Sequence, residues 1–338
     1  MKQIESSLYQ IYKEMLSNYL ESKNEHTLYS AQQFSKEMIE QDMSPEDMIS
    51  LHLSVFREII QYVPDDVEDS FDVLLEVMVG YGLAHREHQS LRDRQRELES
   101  ELNVAAQMQQ SLLPSDPPSN ENGVELGLIS VPAGKMSGDY YHYMTDDHGR
   151  LGVAVADVIG KGVPAALCMS MIKYAIDSLP EQRLQPGPLL ENVNRVVEQN
   201  IDNHMFITMV YGFYDPDVHQ FHYAGAGHEP GFFYRAKTDT FEDLKTKGLV
   251  LGLSKKTSYN EYVAEVELND MIVLLSDGVT ECRYGNDFIE RDQITALIRK
   301  YSHLTAQEIV ENVYRDLERL QSFQLRDDFT LLILRRNM

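Results

Sequence analysis

The sequence predicts an α+β chain in three parts: an all-α helical bundle over residues 1–82, a coiled-coil linker helix and turn over 83–120, and sheets covered by helices over 121–338. Three observations carry this division. Apolar residues recur at helical spacing up to about residue 80, a heptad-like seam follows, and β-branched and aromatic runs alternate with helical stretches beyond residue 121. A chain of 338 residues also exceeds one ordinary domain.

In the first part, Ile4, Leu8, Ile11, Tyr12, Met15, Leu16, Tyr19 and Leu20 build one apolar stripe, and Leu28, Ala31, Phe34, Met38 and Ile39 build a second. Ser44 before Pro45 and Glu46 marks a helix start, with a capping hydroxyl, proline in the first turn and an acid at the positive end of the dipole. Leu51, Val55, Phe56, Ile59 and Ile60 continue that helix until Pro64 stops it. Val67, Phe71, Leu74, Leu75 and Met78 supply a fourth, so a small antiparallel bundle is expected. The acidic run Asp65, Asp66, Glu68, Asp69, Asp72 and Glu76 reads as a solvated helix face, with partner docking as the alternative.

From 82 to 113 the composition turns to Arg, Glu and Gln. Leu91, Gln95, Leu98, Leu102, Ala105, Gln109 and Leu112 alternate at spacings of four and three, a coiled-coil seam interrupted by two glutamines. Periodicity alone supports a solvated connector helix equally well. Pro114 ends the helix, and 115–120 has the composition of a linker turn. In the third part, 151–159, 206–214, 262–268, 271–275 and 329–334 read as strands, and 163–179, 188–200, 291–301 and 306–320 as helices.

Charge and composition exclude several functions. A net charge of −24 repels nucleic acid and anionic membrane and favours cations and basic protein surfaces. No apolar stretch approaches the roughly 20 residues of a membrane span, and the opening residues lack the apolar block of a signal peptide, so a cytoplasmic protein is expected. Cys168 and Cys282, the only cysteines, offer neither a disulfide framework nor a zinc ribbon. Gly160-Lys161-Gly162 lacks the spacing of a nucleotide-binding P-loop.

Chemistry concentrates in four acidic clusters: Ser137-Gly138-Asp139, the run from Asp157 to Gly162, Ser276-Asp277-Gly278, and Asp327-Asp328-Phe329-Thr330. Asp157 and Asp277 follow apolar runs, so their carboxylates emerge where strands end. One Asp-Gly is usually a turn. Four such clusters gathered at strand ends would repel one another unless cations sat between them. Hard oxygen donors without a Cys or His set select Mg²⁺ or Mn²⁺, and two such ions activate water for attack on phosphorus. Phosphoester hydrolysis is the expected reaction.

These clusters, together with Gly225-Ala226-Gly227-His228-Glu229-Pro230 and Gly248-Leu249-Val250-Leu251-Gly252, resemble in order the bacterial SpoIIE-class serine phosphatases of the PPM (type 2C) superfamily. Glu101 to Pro114 is similar to the helix that precedes such domains, so the resemblance covers roughly residues 100–338. A helical front end without a PAS or GAF signature narrows it to members that activate the general stress response. The resemblance implies an α-β-β-α sandwich and a phosphorylated anti-anti-sigma protein as substrate. It also implies a kinase-like activator on the N-terminal domain and two Mn²⁺ or Mg²⁺ ions. A homodimer through bundle and linker is expected.

By the same resemblance, Asp157 bridges both metals with help from the Val158 carbonyl, Asp277 and Asp327 hold one metal, and Asp139 acts on the other through water. Asp139 and Asp157 are the expected catalytic residues, and Asp328 is the less defined member of its pair. Two positions depart from the family, which often has Asn at Gly225 and an acid at His142. No arginine precedes Asp139 to clamp phosphate, so the metals are expected to hold it and intrinsic turnover to be slow. His228 reads as either a general acid or a hydrogen-bonded loop histidine, and is not counted as catalytic. The rival function is a catalytically silent scaffold with a phosphatase-like domain.

Overall fold

The computed structural model describes residues 2–337 apart from 24, 41–42, 61, 115–122, 161, 180–184, 202–204, 285–286 and 321–324. The predicted linker turn at 115–120 and Lys161 therefore lie outside the described residues. The chain divides into two compact units, Met1–Glu99 and Ser100–Met338.

The first unit is helical: α1 (Lys2–Ser22), α2 (Glu25–Glu40), α3 (Pro45–Ile59) and the start of α4 (Asp65–Leu112). Ser44 caps α3 as its sequence requires, its hydroxyl accepting from the Asp47 N–H while the Asp47 carboxylate returns to the Ser44 N–H. Rings of Tyr12, Phe34, His52, Phe56 and Phe71 meet at centroid separations of 5.3 to 6.0 Å and join α1, α2, α3 and α4. The acidic residues from Asp65 to Glu76 are exposed apart from the half-buried Glu68, which pairs with Arg57.

The fourth bundle helix and the linker helix, expected as separate elements, form the single helix α4. Gly80 and Gly82 do not interrupt it, because a glycine costs a helix interior only about 1 kcal/mol. The predicted seam is not uniform along α4. Leu91, Leu98 and Leu102 are exposed, whereas Gln109 is buried and Leu112 packs on the core of the second unit. Gln109 thus turns into the interior of the second unit, to which it belongs, and does not interrupt a free seam.

The second unit holds β1 (Val124–Val131), β2 (Asp139–Thr145), β3 (Leu151–Val158), α5 (Val163–Asp177), α6 (Pro186–Asn200), β4 (Ile207–Asp215), β5 (Gln220–Ala226), β6 (Gly231–Arg235), β7 (Thr240–Leu244), β8 (Tyr262–Glu265) and β9 (Met271–Leu275). It continues through α7 (Asp277–Thr280), the short hairpin β10 (Arg283–Tyr284) and β11 (Asp287–Phe288), then α8 (Arg291–Tyr301), α9 (Ala306–Leu320) and β12 (Phe329–Arg336). Two antiparallel sheets result, ordered β1-β12-β9-β6-β7 and β2-β3-β4-β5-β8.

Strand alternation places the layers. Along β3, Leu151, Val153 and Val155 enter the core between the sheets, while Ala154, Ala156 and Val158 meet α5 and α6. Along β12, Leu332 and Leu334 join the inter-sheet core, while Phe329, Leu331 and Ile333 pack under α8 and α9. Both strands are buried on two faces, which is why they read as continuous apolar runs. The architecture is an α-β-β-α sandwich. Strands β1, β2, β5, β6 and β7 and the short hairpin β10–β11 are not foreseen from the sequence.

Candidate active site at the strand ends

Asp139 opens β2 and Asp157 lies near the end of β3, and the antiparallel register sets them directly opposite each other. In the other sheet, Asp277 follows β9 by one residue and Asp327 precedes β12, and these two strands are paired through Leu275 and Leu331. The Ser276 N–H donates to the Thr330 carbonyl at 3.0 Å and draws the two ends together. Gly278 allows this approach, since a Cβ there would lie 2.0 Å from the Asp328 carbonyl oxygen.

The two pairs face a common edge. Asp139 is 1% exposed, and its Oδ2 is buried without a hydrogen-bond partner. Burial raises its carboxyl well above the usual range, with Asp157 and Asp328 adding to the rise, while the nearby hydroxyls of Ser276 and Thr330 oppose it. Burial likewise raises Asp277, reinforced by Asp327 and Glu281. Asp139 therefore stands on one sheet against Ser276 and Thr330 of the other.

The predicted ligands stand as two neighbouring pairs, not as a ready-made cage. Among the described residues, no three acidic, His or Cys side chains are placed to grip an ion. The donor chemistry nevertheless fits a hard divalent cation: carboxylates crowded by like charge, an orphaned carboxylate oxygen, and the Val158 carbonyl beside Gly138. Asp157 and Val158 on β3, with Asp277 and Asp327, are the residues that would hold it.

Asp328, which the sequence reading left undefined, has its carboxylate committed elsewhere. One oxygen accepts from the Ala133 N–H at 2.7 Å and the other from the Gly138 N–H at 2.5 Å. It holds the loop that delivers Asp139. Backbone partners so distant in sequence leave no local signal.

His228 is a strut. Its Nε2–H donates to the Leu275 carbonyl at 3.1 Å, which leaves Nδ1 to accept from the Thr208 hydroxyl at 2.8 Å. Thr208 lies on β4 and Leu275 on β9, so the ring ties the two sheets together close to the carboxylates. Burial pushes its pKa down to about 4, which keeps the ring neutral. His142, which with Gly225 departs from the family pattern, is buried beside Tyr140 and is also depressed by burial to about 4.

Paired antiparallel sheets, helices on both outer faces and aspartates at the meeting strand ends define a PP2C-type phosphatase domain. Comparison with known proteins agrees. Residues 147–337 match the family model of Stage II sporulation protein E (SpoIIE), and residues 10–84 match that of the N-terminal domain of phosphoserine phosphatase RsbU. Phosphoserine phosphatase RsbU of Bacillus subtilis is 53% identical over 329 residues, covering 97% of this chain and 98% of that protein. Among solved structures, the SiaA-PP2C domain of Pseudomonas aeruginosa is similar in fold, with a TM-score of 0.62 at 20% identity over 72% of this chain and 98% of that one. The RsbU and RsbW domains of Rv1364c from Mycobacterium tuberculosis give 0.54 at 24% identity, covering 67% of this chain and 63% of that one. The chain belongs to the SpoIIE-class serine phosphatases, in their RsbU branch.

Proposed function

We propose that this phosphatase removes phosphate from a phosphoserine on an anti-anti-sigma protein and is switched on by a kinase-like partner bound to its N-terminal helices. The observation that carries the chemistry is the cross-strand pair Asp139 and Asp157 facing the end of the β9–β12 pair, which carries Asp277 and Asp327. Asp157, the Val158 carbonyl, Asp277 and Asp327 would hold two Mn²⁺ or Mg²⁺ ions, with Asp139 acting through water. Bound ions supply charge neutralisation of the phosphate and acidification of water.

Residues of the chain prepare that step. Asp328 fixes the loop before Asp139, and His228 ties β4 of one sheet to β9 of the other beside the site. Among the described residues, the thiol that follows Asp277 in the chain is not poised as a nucleophile. The Cys282 thiol is buried, donates to the Gly278 carbonyl, and is pushed up by burial to about 12. Water therefore attacks phosphorus in line with the departing serine oxygen, without a phosphoenzyme.

Regulation is read from the helices. Leu91 and Leu98 on α4, at 61% and 46% exposure, offer an apolar edge to a second copy, and the activator would order it. None of the described helices is long and apolar enough to cross a membrane. The test is phosphate release from phosphorylated anti-anti-sigma protein with and without Mn²⁺ and activator. Release that requires Mn²⁺ and rises with activator is expected; no release under any condition would favour the silent-scaffold reading.

A further inference from the structure

We infer that Gln109 is a positioning residue for the metal site: its side-chain amide fixes the loop that carries Asp139. The inference rests on the phosphatase reading above. Gln109 lies in the last turns of α4 and is 5% exposed, whereas its neighbours Gln107, Met108 and Gln110 are exposed. Its Nε2–H donates to the Ser137 carbonyl at 2.7 Å, and its Oε1 accepts from the Ser137 N–H at 3.0 Å. The same nitrogen stands 3.1 Å from the Met169 sulfur on α5. An amide used on both its donor and acceptor sides by one residue's backbone has a single orientation, and so does the backbone it grips.

The grip reaches Asp139 in one further step. The Asp139 N–H donates to the Ser137 hydroxyl at 3.0 Å, so all three polar groups of Ser137 are engaged between Gln109 and Asp139. From the opposite side, Asp328 holds the Gly138 N–H. The loop is thus pinned between β12 and α4. Leu112 and Leu113, one turn further on, anchor the helix end to the core. Beside the pinned loop lies an open cleft of about 450 Å³ lined by Gln107, Gln109, Lys135, Ser137 and Tyr141. A turn or slide of α4 would withdraw both hydrogen bonds from a buried backbone, and the placement of Asp139 would change with them.

The test uses the full chain with Gln109→Met, which keeps side-chain volume and the contact with Met169 but removes both hydrogen bonds. Mn²⁺ affinity is measured directly from the electron paramagnetic resonance of free Mn²⁺, and kcat and KM are measured with p-nitrophenyl phosphate. Loss of roughly tenfold in Mn²⁺ affinity or kcat, with KM nearly unchanged, is expected of a residue that orients a metal site. Gln107→Ala, on the exposed side of the same turn, is expected to behave as wild type. If Gln109→Met does not fold, Gln109→Glu replaces it, since its carboxylate keeps the shape but cannot donate to the Ser137 carbonyl. A folded Gln109 variant with wild-type affinity and kcat overturns this inference alone. A wild-type chain that neither binds Mn²⁺ nor releases phosphate overturns the phosphatase reading and this inference with it.

Discussion

Across β9 and the first six residues of β12 every residue is buried, whereas in Met1–Glu99 the buried apolar side chains among the described residues are Phe34, Met38, Leu53 and Val55. The second unit closes its apolar surface in three layers, and the first leaves Val73, Val77, Tyr81 and Leu83 exposed on α4. A site that must hold like charges together needs a scaffold that does not yield, and the sandwich provides one. Helices with uncovered apolar surface are suited to gaining a partner. The candidate site thus lies in the closed unit, and the uncovered apolar surface in the other.

The sharpest way to test the assignment of chemistry is Asp157→Asn. It removes a charge at the strand end without removing apolar contact, so the chain is expected to fold while phosphate release falls about a thousandfold, equivalent to roughly 4 kcal/mol of lost transition-state stabilisation. Near-wild-type turnover would break the assignment. The difference in packing is measured next, by comparing like substitutions in urea. Leu331→Ala, at a fully buried β12 position, is expected to destabilise its unit by about 4 kcal/mol, against about 2 kcal/mol for Leu53→Ala in α3, where the surroundings are less closely packed. Equal losses would remove the contrast.

A smaller effect comes from His228. Its pKa in the folded protein is lowered to about 4 by burial, so the unfolded chain binds the extra proton first as pH falls. Stability is complete above about pH 6.5 and declines as the pH is lowered toward 4, by on the order of 2–3 kcal/mol from this ring alone. Urea unfolding of wild type and His228→Gln across that range should show a shallower pH slope in the variant, and parallel slopes would refute the role. The smallest expected change in stability is for Leu98→Ala, less than about 0.5 kcal/mol because the side chain is exposed, yet it should weaken the proposed activator-dependent dimerisation, followed by ultracentrifugation.

Much of the sandwich was legible because burial on both faces leaves an unbroken apolar run, as in 271–275 and 329–334, and because α9 carries a clear apolar stripe of Ile309, Val313 and Leu317. β2 and β5 were not, since His142 and His222 interleave with tyrosines and Gly225 closes β5 where a loop was read. The continuity of α4 was hidden by Gly80 and Gly82, which weaken a helix without ending it. At the site, the apolar runs that end at Asp157 and at Ser276-Asp277 exposed those two aspartates, because strand ends carry a local pattern. Asp328 and Gln109 carry none: their partners are backbone groups of residues 133–138, far away in the chain. A glutamine on a heptad reads as an interrupted seam until the surface opposite it is known.

The number of Mn²⁺ ions bound per chain tests the proposed metal site between the two sheets most directly. Electron paramagnetic resonance titration of the wild type should count two bound ions, and Asp157→Asn, with its fold intact by circular dichroism, should lose at least one of them. Equal counts in the two proteins, or none in the wild type, would contradict the account.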